Sequence, residues 1–161
     1  MRFERTQDYS RVRGILTDPG IFRFMGDDFC TLDDFEVNLH PLIWYVLVRS
    51  DQHIISRGGT IGLFSFFPEN PISWWVHVAF FRKIPPSLTC EAGRQIVPWV
   101  WKNTPCRRLI ASVPAYNRAA VGYGLDSKGM NLQQMGTNPA SFLKHGKLWD
   151  QVLMGTSRPG A

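Results

Sequence analysis

Three apolar runs, rich in β-branched and aromatic residues, follow one another with turn signals between them: Tyr45-Val46-Leu47-Val48-Arg49, Thr60 to Phe67, and Ser73 to Phe81. Gly58-Gly59 and Pro68-Glu69-Asn70-Pro71 punctuate them. Such runs read as strands, and successive strands joined through turns favour an antiparallel meander. The rest of the chain must then cover the faces of that meander. On the third run Trp74, Val76, Val78 and Phe80 share one face, while Trp75, His77 and Ala79 share the other.

The flanking segments supply the cover. Met1 to Thr6 reads as a short strand anchored by Phe3. Asp8 is placed to cap a helix whose apolar residues are Tyr9, Val12, Ile15 and Leu16. Asp18-Pro19-Gly20 stops it, and Ile21 to Met25 forms a further turn or short helix. Gly26-Asp27-Asp28 and Asp33-Asp34 make an acidic loop. After the meander, a helix capped by Ser87 carries the stripe Leu88, Ala92, Ile96, Val97, Val100 and Trp101, and Pro98 is expected to kink it. Arg108 to Val113 reads as a strand, and Asn117 to Leu125 as a helix weakened by Gly122 and Gly124. Two last strands are expected near Leu132 to Met135 and Trp149 to Met154, with a turn at His145-Gly146 between them. The predicted class is α/β (α+β): a mixed, mostly antiparallel sheet of about six to seven strands with helices on both faces. Residues 1–155 read as one domain and 156–161 as a flexible tail.

Composition narrows the classes. The chain has 161 residues, 44% of them hydrophobic, which suits one folded domain rather than disorder. Its longest apolar run, Leu42 to Val48, is far too short to span a bilayer, and the charged start Met1-Arg2-Phe3-Glu4-Arg5 argues against a secretory leader. Cys30, Cys90 and Cys106 are odd in number and lack a C-x-x-C pair, so neither a disulfide framework nor a metal site is indicated. The expectation is reduced thiols and a cytoplasmic protein. A net charge of +5 permits an anionic partner, but no nucleic-acid motif accompanies it. The six tryptophans form no stacking platform: Trp74 and Trp75 point to opposite sheet faces, and Trp99 and Trp101 diverge on a helix.

The second half carries a resemblance. Val113-Pro114-Ala115-Tyr116-Asn117-Arg118-Ala119-Ala120 followed by Lys128-Gly129-Met130 is similar to the late motif of the GNAT superfamily of N-acetyltransferases. There a strand ends, an Asn opens a helix, and Gly with a bulky apolar residue closes it. Ser141 to Asp150 resembles that superfamily's last hairpin. Pro68-Glu69-Asn70-Pro71 and Trp99-Val100-Trp101-Lys102-Asn103-Thr104-Pro105 resemble its divergent bacteriophage and prophage members. The resemblance implies a GNAT-like fold and transfer of an acetyl group from acetyl-CoA to an amine.

It also says which residues to inspect. The superfamily's pyrophosphate loop, Arg/Gln-x-x-Gly-x-Gly/Ala, aligns with Arg82-Lys83-Ile84-Pro85-Pro86-Ser87. Arg82, Lys83 and the helix start at Ser87 are the cofactor-binding candidates, but Pro85 and Pro86 carry no amide proton to offer phosphate. His77 is the candidate base, or else a hydrogen-bonded histidine of the sheet; Glu69 is the alternative acceptor. Tyr123 is the candidate proton donor to the thiolate, although one position out of the usual register, and Tyr116 is a second. Asn117 either caps its helix or bonds pantetheine.

Two functions follow from different classes. One is an acyl-CoA-dependent N-acyltransferase. The other is a non-catalytic phage-encoded GNAT-like protein of a virion or of host interaction, with a degenerate cofactor loop. The sequence leaves open the amine substrate, a second copy of the chain, and a phage or host protein as partners.

Overall fold

A computed structural model describes residues 1–38, 40–51 and 59–160. Gly58 of the Gly58-Gly59 pair, and Ala161 of the tail, lie outside the described residues. The elements in chain order are β1 (Arg2–Thr6), α1 (Tyr9–Leu16), α2 (Pro19–Met25), β2 (Trp44–Arg49), β3 (Thr60–Pro68), β4 (Ser73–Phe80), α3 (Pro86–Asn103), β5 (Arg108–Pro114), α4 (Arg118–Leu125), β6 (Gln133–Lys144) and β7 (Lys147–Ser157). The strands form one sheet in the order β1-β2-β3-β4-β5-β7-β6. β1 to β4 are the expected antiparallel meander. β4 and β5 are parallel, because α3 carries the chain back across the sheet.

Each face has its own core. On one, Val46, Phe64, Phe66, Trp74 and Val76 pack against Leu88, Ala92, Ile96 and Val100 of α3. On the other, Tyr45, Leu47, Leu63 and Ala79 pack against Val12, Ile15 and Leu16 of α1 and Ile21 of α2. The alternation read along Ser73 to Phe81 is therefore the alternation observed. Gly93 lets α3 and α4 approach closely: a Cβ there would lie 2.6 Å from the Tyr123 hydroxyl and 2.9 Å from the Gly129 carbonyl carbon.

Several boundaries differ from expectation for identifiable reasons. Asp18-Pro19-Gly20 ends α1 and also starts α2: the Asp18 carboxylate accepts from the Gly20 amide at 2.9 Å, and Pro19 occupies the first helical position. α3 runs through Pro98 as one helix, with that proline on its exposed face. β6 and β7 are much longer than their apolar runs, because their ladder is held by backbone pairing over polar residues. β7 continues to Ser157, into the stretch read as tail, and the Arg158 amide still donates to the Arg107 carbonyl. β6 forms the outer edge of the sheet; its register shifts twice, between Gln134 and Gly136 and between Asn138 and Phe142. Pro139 and the left-handed Ala140 (φ 47°) lie within the second shift.

The β6–β7 turn is tied to the loop after α2. The Asp28 carboxylate accepts from the His145 and Gly146 amides at 2.9 and 2.8 Å, and the Asp28 amide donates to the Leu143 carbonyl at 3.0 Å. Lys144 Nζ donates to the Gly26 carbonyl at 2.6 Å. His145 and Gly146 both have positive φ, 54° and 68°, as a two-residue hairpin turn of this hand requires.

Candidate active site

The sheet splits at its centre. β4 and β5 pair only at Ser73↔Arg108, Trp74↔Leu109 and Trp75↔Ile110. Beyond that point β4 stays paired with β3, and β5 with β7, so the two strands part company. The Glu69 amide donates to the Ser73 carbonyl, and the Phe81 amide to the Ile61 carbonyl, at 2.9 and 3.1 Å. Odd-numbered residues of β4 thus bond to β3. The alternation of an antiparallel ladder turns the N–H and C=O of Val78 and Phe80 the other way, into the split. On the far bank, Arg158 to Arg107 and Ala115 to Asp150 place the odd residues of β5 on β7. The backbone groups of Ser112 therefore face the split as well. The opening is lined by main-chain donors and acceptors that the sheet does not use, a track suited to an extended chain bearing amides.

α3 begins at the upper end of β4. Its N-cap is Pro85, with no side-chain capping bond, and its first helical residue is Pro86. Ser87 is thus the second residue of the helix rather than its cap; two prolines with φ already near the helical value start the helix earlier. The amide accounting is short. Ile84 donates to Phe81, Leu88 and Thr89 donate to the Pro85 carbonyl, and Pro85 and Pro86 have no proton to donate. Among residues 84–89, the Ser87 amide is the one left for a ligand. Arg82 and Lys83 are exposed on the preceding turn.

His77 lies on the α1/α2 face of β4, two residues beyond the last pair with β5. Its ring meets Phe67 edge-on, with centroids 5.2 Å apart. The side chain is exposed, yet desolvation by the surrounding protein holds the imidazole below its ordinary pKa. The imidazole is therefore neutral at pH 7, with a lone pair to accept a proton. Glu69 pairs with Ser73, four residues before His77, which puts it about 13 Å down the strand and away from the split.

Tyr123 packs edge-on against Phe80 at 5.8 Å, and its hydroxyl donates to the Thr89 carbonyl of α3 at 3.1 Å. Burial, with Cys90 adding to it, pushes its pKa up. The phenol keeps its proton but gives it to α3. Tyr116 stands at the end of β5 between Phe142 and Trp149, with centroids 6.1 and 5.3 Å away. Its hydroxyl is buried and has no hydrogen-bond partner among the described residues. Asn117 caps α4, its side-chain oxygen accepting from the Ala120 amide at 3.2 Å. Among the described residues no group of three or more His, Cys, Asp or Glu is placed to hold a metal ion, and no helix is long and apolar enough to cross a membrane.

The structure therefore brings His77, Arg82, Lys83 and Ser87 to one strand and the turn that follows it, and leaves Glu69 apart. The backbone groups of Val78 and Ser112 were not legible in advance, since any residue type supplies an amide and only the parting of the strands exposes it.

No protein-family model and no curated protein matches the chain. Solved structures do. A GNAT-family acetyltransferase from Streptococcus pneumoniae superposes with a TM-score of 0.73 over 98% of this chain and 99% of that one, at 14% identity. The chain has the GNAT acetyltransferase fold. The spermidine N-acetyltransferase of Vibrio cholerae, in complex with CoA and spermine, gives 0.74 over 97% and 94% at 12% identity. The ribosomal-protein-alanine N-acetyltransferase of Brucella melitensis gives 0.65 over 98% and 100% at 15%. In this GNAT fold the seven strands and four helices are the expected class, with β4 and β5 at its centre.

Proposed function

We propose that the chain is an acyl-CoA-dependent N-acyltransferase that moves an acetyl group from acetyl-CoA to an amine. The observation that carries this reading is the split between β4 and β5, with a neutral, solvent-reachable imidazole on one bank and a helix N-terminus with two cations at its upper end. The fold shared with the acetyltransferases above supports it. The phage-type affiliation rests on the sequences 68–71 and 99–105 alone, and the cytoplasmic setting on three free cysteines.

In the reaction the amine nitrogen attacks the thioester carbonyl carbon. The N–C bond forms, the C–S bond breaks, and one proton passes from nitrogen to sulfur. His77, directly or through one water, takes that proton and hands it on to the thiolate. The Val78 amide is a main-chain donor for the carbonyl oxygen as it gains charge. The amide-bearing arm of the donor lies along the Val78, Phe80 and Ser112 backbone. Its pyrophosphate meets Arg82, Lys83 and the Ser87 amide, where the helix dipole adds to the two cations.

One observation favours a second reading, a non-catalytic GNAT-like protein: the first turn of α3 offers a single free amide. Calorimetry with acetyl-CoA separates the two. The enzyme reading expects binding, a stability gain of about 2.7 kcal/mol at one hundred times the dissociation constant, and thiol release when an amine panel is added. In Arg82→Ala/Lys83→Ala the affinity falls, and falls further at low salt than at high salt. Absence of binding favours the second reading instead, and unchanged affinity in the double variant removes the pyrophosphate from this turn.

A further inference from the structure

A cavity of about 250 Å³ lies where α1 crosses the start of β3. Ser10, Arg11, Gly14 and Ile15 of α1 bound it, with Thr60 at the start of β3 and Phe81 just beyond β4. It is on the β3 side of β4, where the Phe81 amide donates to the Ile61 carbonyl, whereas the split opens on the β5 side. Arg11 is half-buried in the cavity wall. Its Nη2 donates to the Thr60 hydroxyl at 2.8 Å, and Thr60 is only 3% exposed, so the guanidinium is held in place. Among the described residues no carboxylate forms an ion pair with it. Glu4 pairs with Arg49, Asp51 pairs with Arg2, and Asp8 accepts from the Arg11 backbone amide at 3.0 Å. A cation drawn part-way out of water ordinarily has a charged partner; Arg11 has a neutral hydroxyl and a cavity. The other side of that cavity is apolar, from Ile15 and Phe81. Gly14 leaves it open, since a Cβ there would meet nothing within 4 Å.

We infer that this cavity binds a small monocarboxylate with an apolar body, the carboxylate on Arg11 and the body against Ile15 and Phe81. The guanidinium spends one nitrogen on Thr60 and keeps donors for a carboxylate, whose two oxygens match its planar fork. The local charge selects a single negative charge. Arg49 stands opposite Thr60 across the ladder, but Glu4 lies 3.1 Å from its Nε. Arg2, opposite Arg49, is paired with Asp51. A dianion such as phosphate would need a second unpaired cation here. The size selects a ligand of few heavy atoms, because sites for drug-sized molecules start at roughly 300 Å³. Burial of the apolar body against Ile15 and Phe81 adds to the charge-assisted bonds. The site shares no residue with the proposed reaction and stands whether or not acetyl-CoA is turned over.

The test uses the purified full chain, with isovalerate as the probe and isovaleramide as its neutral counterpart. Saturation-transfer NMR titrations of each give the dissociation constants. The expected result is saturation of the isovalerate methyl protons and binding of isovaleramide about tenfold weaker or more, the loss of bonds to a charged group. Arg11→Gln should weaken isovalerate by a similar factor and bring the two probes together. Because Arg11 also ties α1 to β3, a second variant keeps that tie: Gly14→Leu sits on an exposed helical position, fills the cavity and should abolish the saturation with the melting temperature maintained. Equal binding of the acid and the amide by the wild type overturns the carboxylate assignment. Isovalerate binding that survives Gly14→Leu in the folded protein places the probe elsewhere and overturns the site, as does an absence of saturation in the wild type. Displacement of isovalerate by CoA overturns the separation from the donor site.

Discussion

At the scale of the residue, His77 is set apart by where its strand stops being paired. A histidine in the middle of a continuous sheet would be sealed between neighbours; here β5 has already turned away. His77→Ala should lower turnover by about 10² to 10⁴ if the imidazole is the base. It should change the melting temperature little, because the side chain is exposed. The wild-type rate should rise with pH and level off at a lower pH than a free imidazole would give, since desolvation lowers the pKa. The same shift acts on stability. Between the lowered folded value and the unfolded value of 6.5, the unfolded chain holds the extra proton. Stability is therefore complete above 6.5 and declines as pH falls toward the folded value. A pH–rate profile with no imidazole limb, or turnover that survives His77→Ala, removes the base assignment. Residue identity alone placed His77 on the correct strand and face, because alternation with period two is visible in Ser73 to Phe81. Whether it met a cleft or a core depended on a neighbour 33 or more positions away in the chain, which no local pattern encodes.

At the scale of the element, α3 shows how a local rule decides a binding surface. Two prolines in sequence make a sound helix start, and the helix accepts Pro86 as its first residue. The same choice strips donors from the turn where the acyltransferase reading places the pyrophosphate of the donor. Pro86→Ala returns one amide at the first helical position, where no carbonyl of the helix can claim it. Affinity for acetyl-CoA, measured by calorimetry, should rise by roughly 1.5 kcal/mol, the low end for a hydrogen bond to a charged group. An unchanged dissociation constant would show that the phosphates do not reach this turn. The absence of those two amides was readable from Pro85-Pro86 itself. The cap was not, because Ser87 is a stronger capping residue than proline and only the fixed φ of the prolines overrules it. The late hairpin was underestimated for a related reason: Gln133-Gln134-Met135-Gly136-Thr137-Asn138 has little apolar content, and its strand state follows from the ladder with β7.

At the scale of the whole molecule, the loop after α2 and the β6–β7 turn are separated by more than a hundred residues and held together through Asp28. Backbone donation from Gly146 and His145 keeps its carboxyl below the ordinary range. Asp28→Ala should lower the melting temperature at neutral pH. The wild type has that advantage above 3.8 and loses it as pH falls through the folded value, so the two melting curves should converge in acid. Curves that stay apart at every pH would show that the substitution acts through something other than the charge. The outer rim of the sheet has a different consequence. A twelve-residue strand at an unprotected edge would be an invitation for a second chain to add its own strand in register. β6 declines that invitation through its two slips of register, its proline and its left-handed alanine. Concentrated solutions of the folded protein should accordingly resist growth into cross-β filaments seeded from this rim.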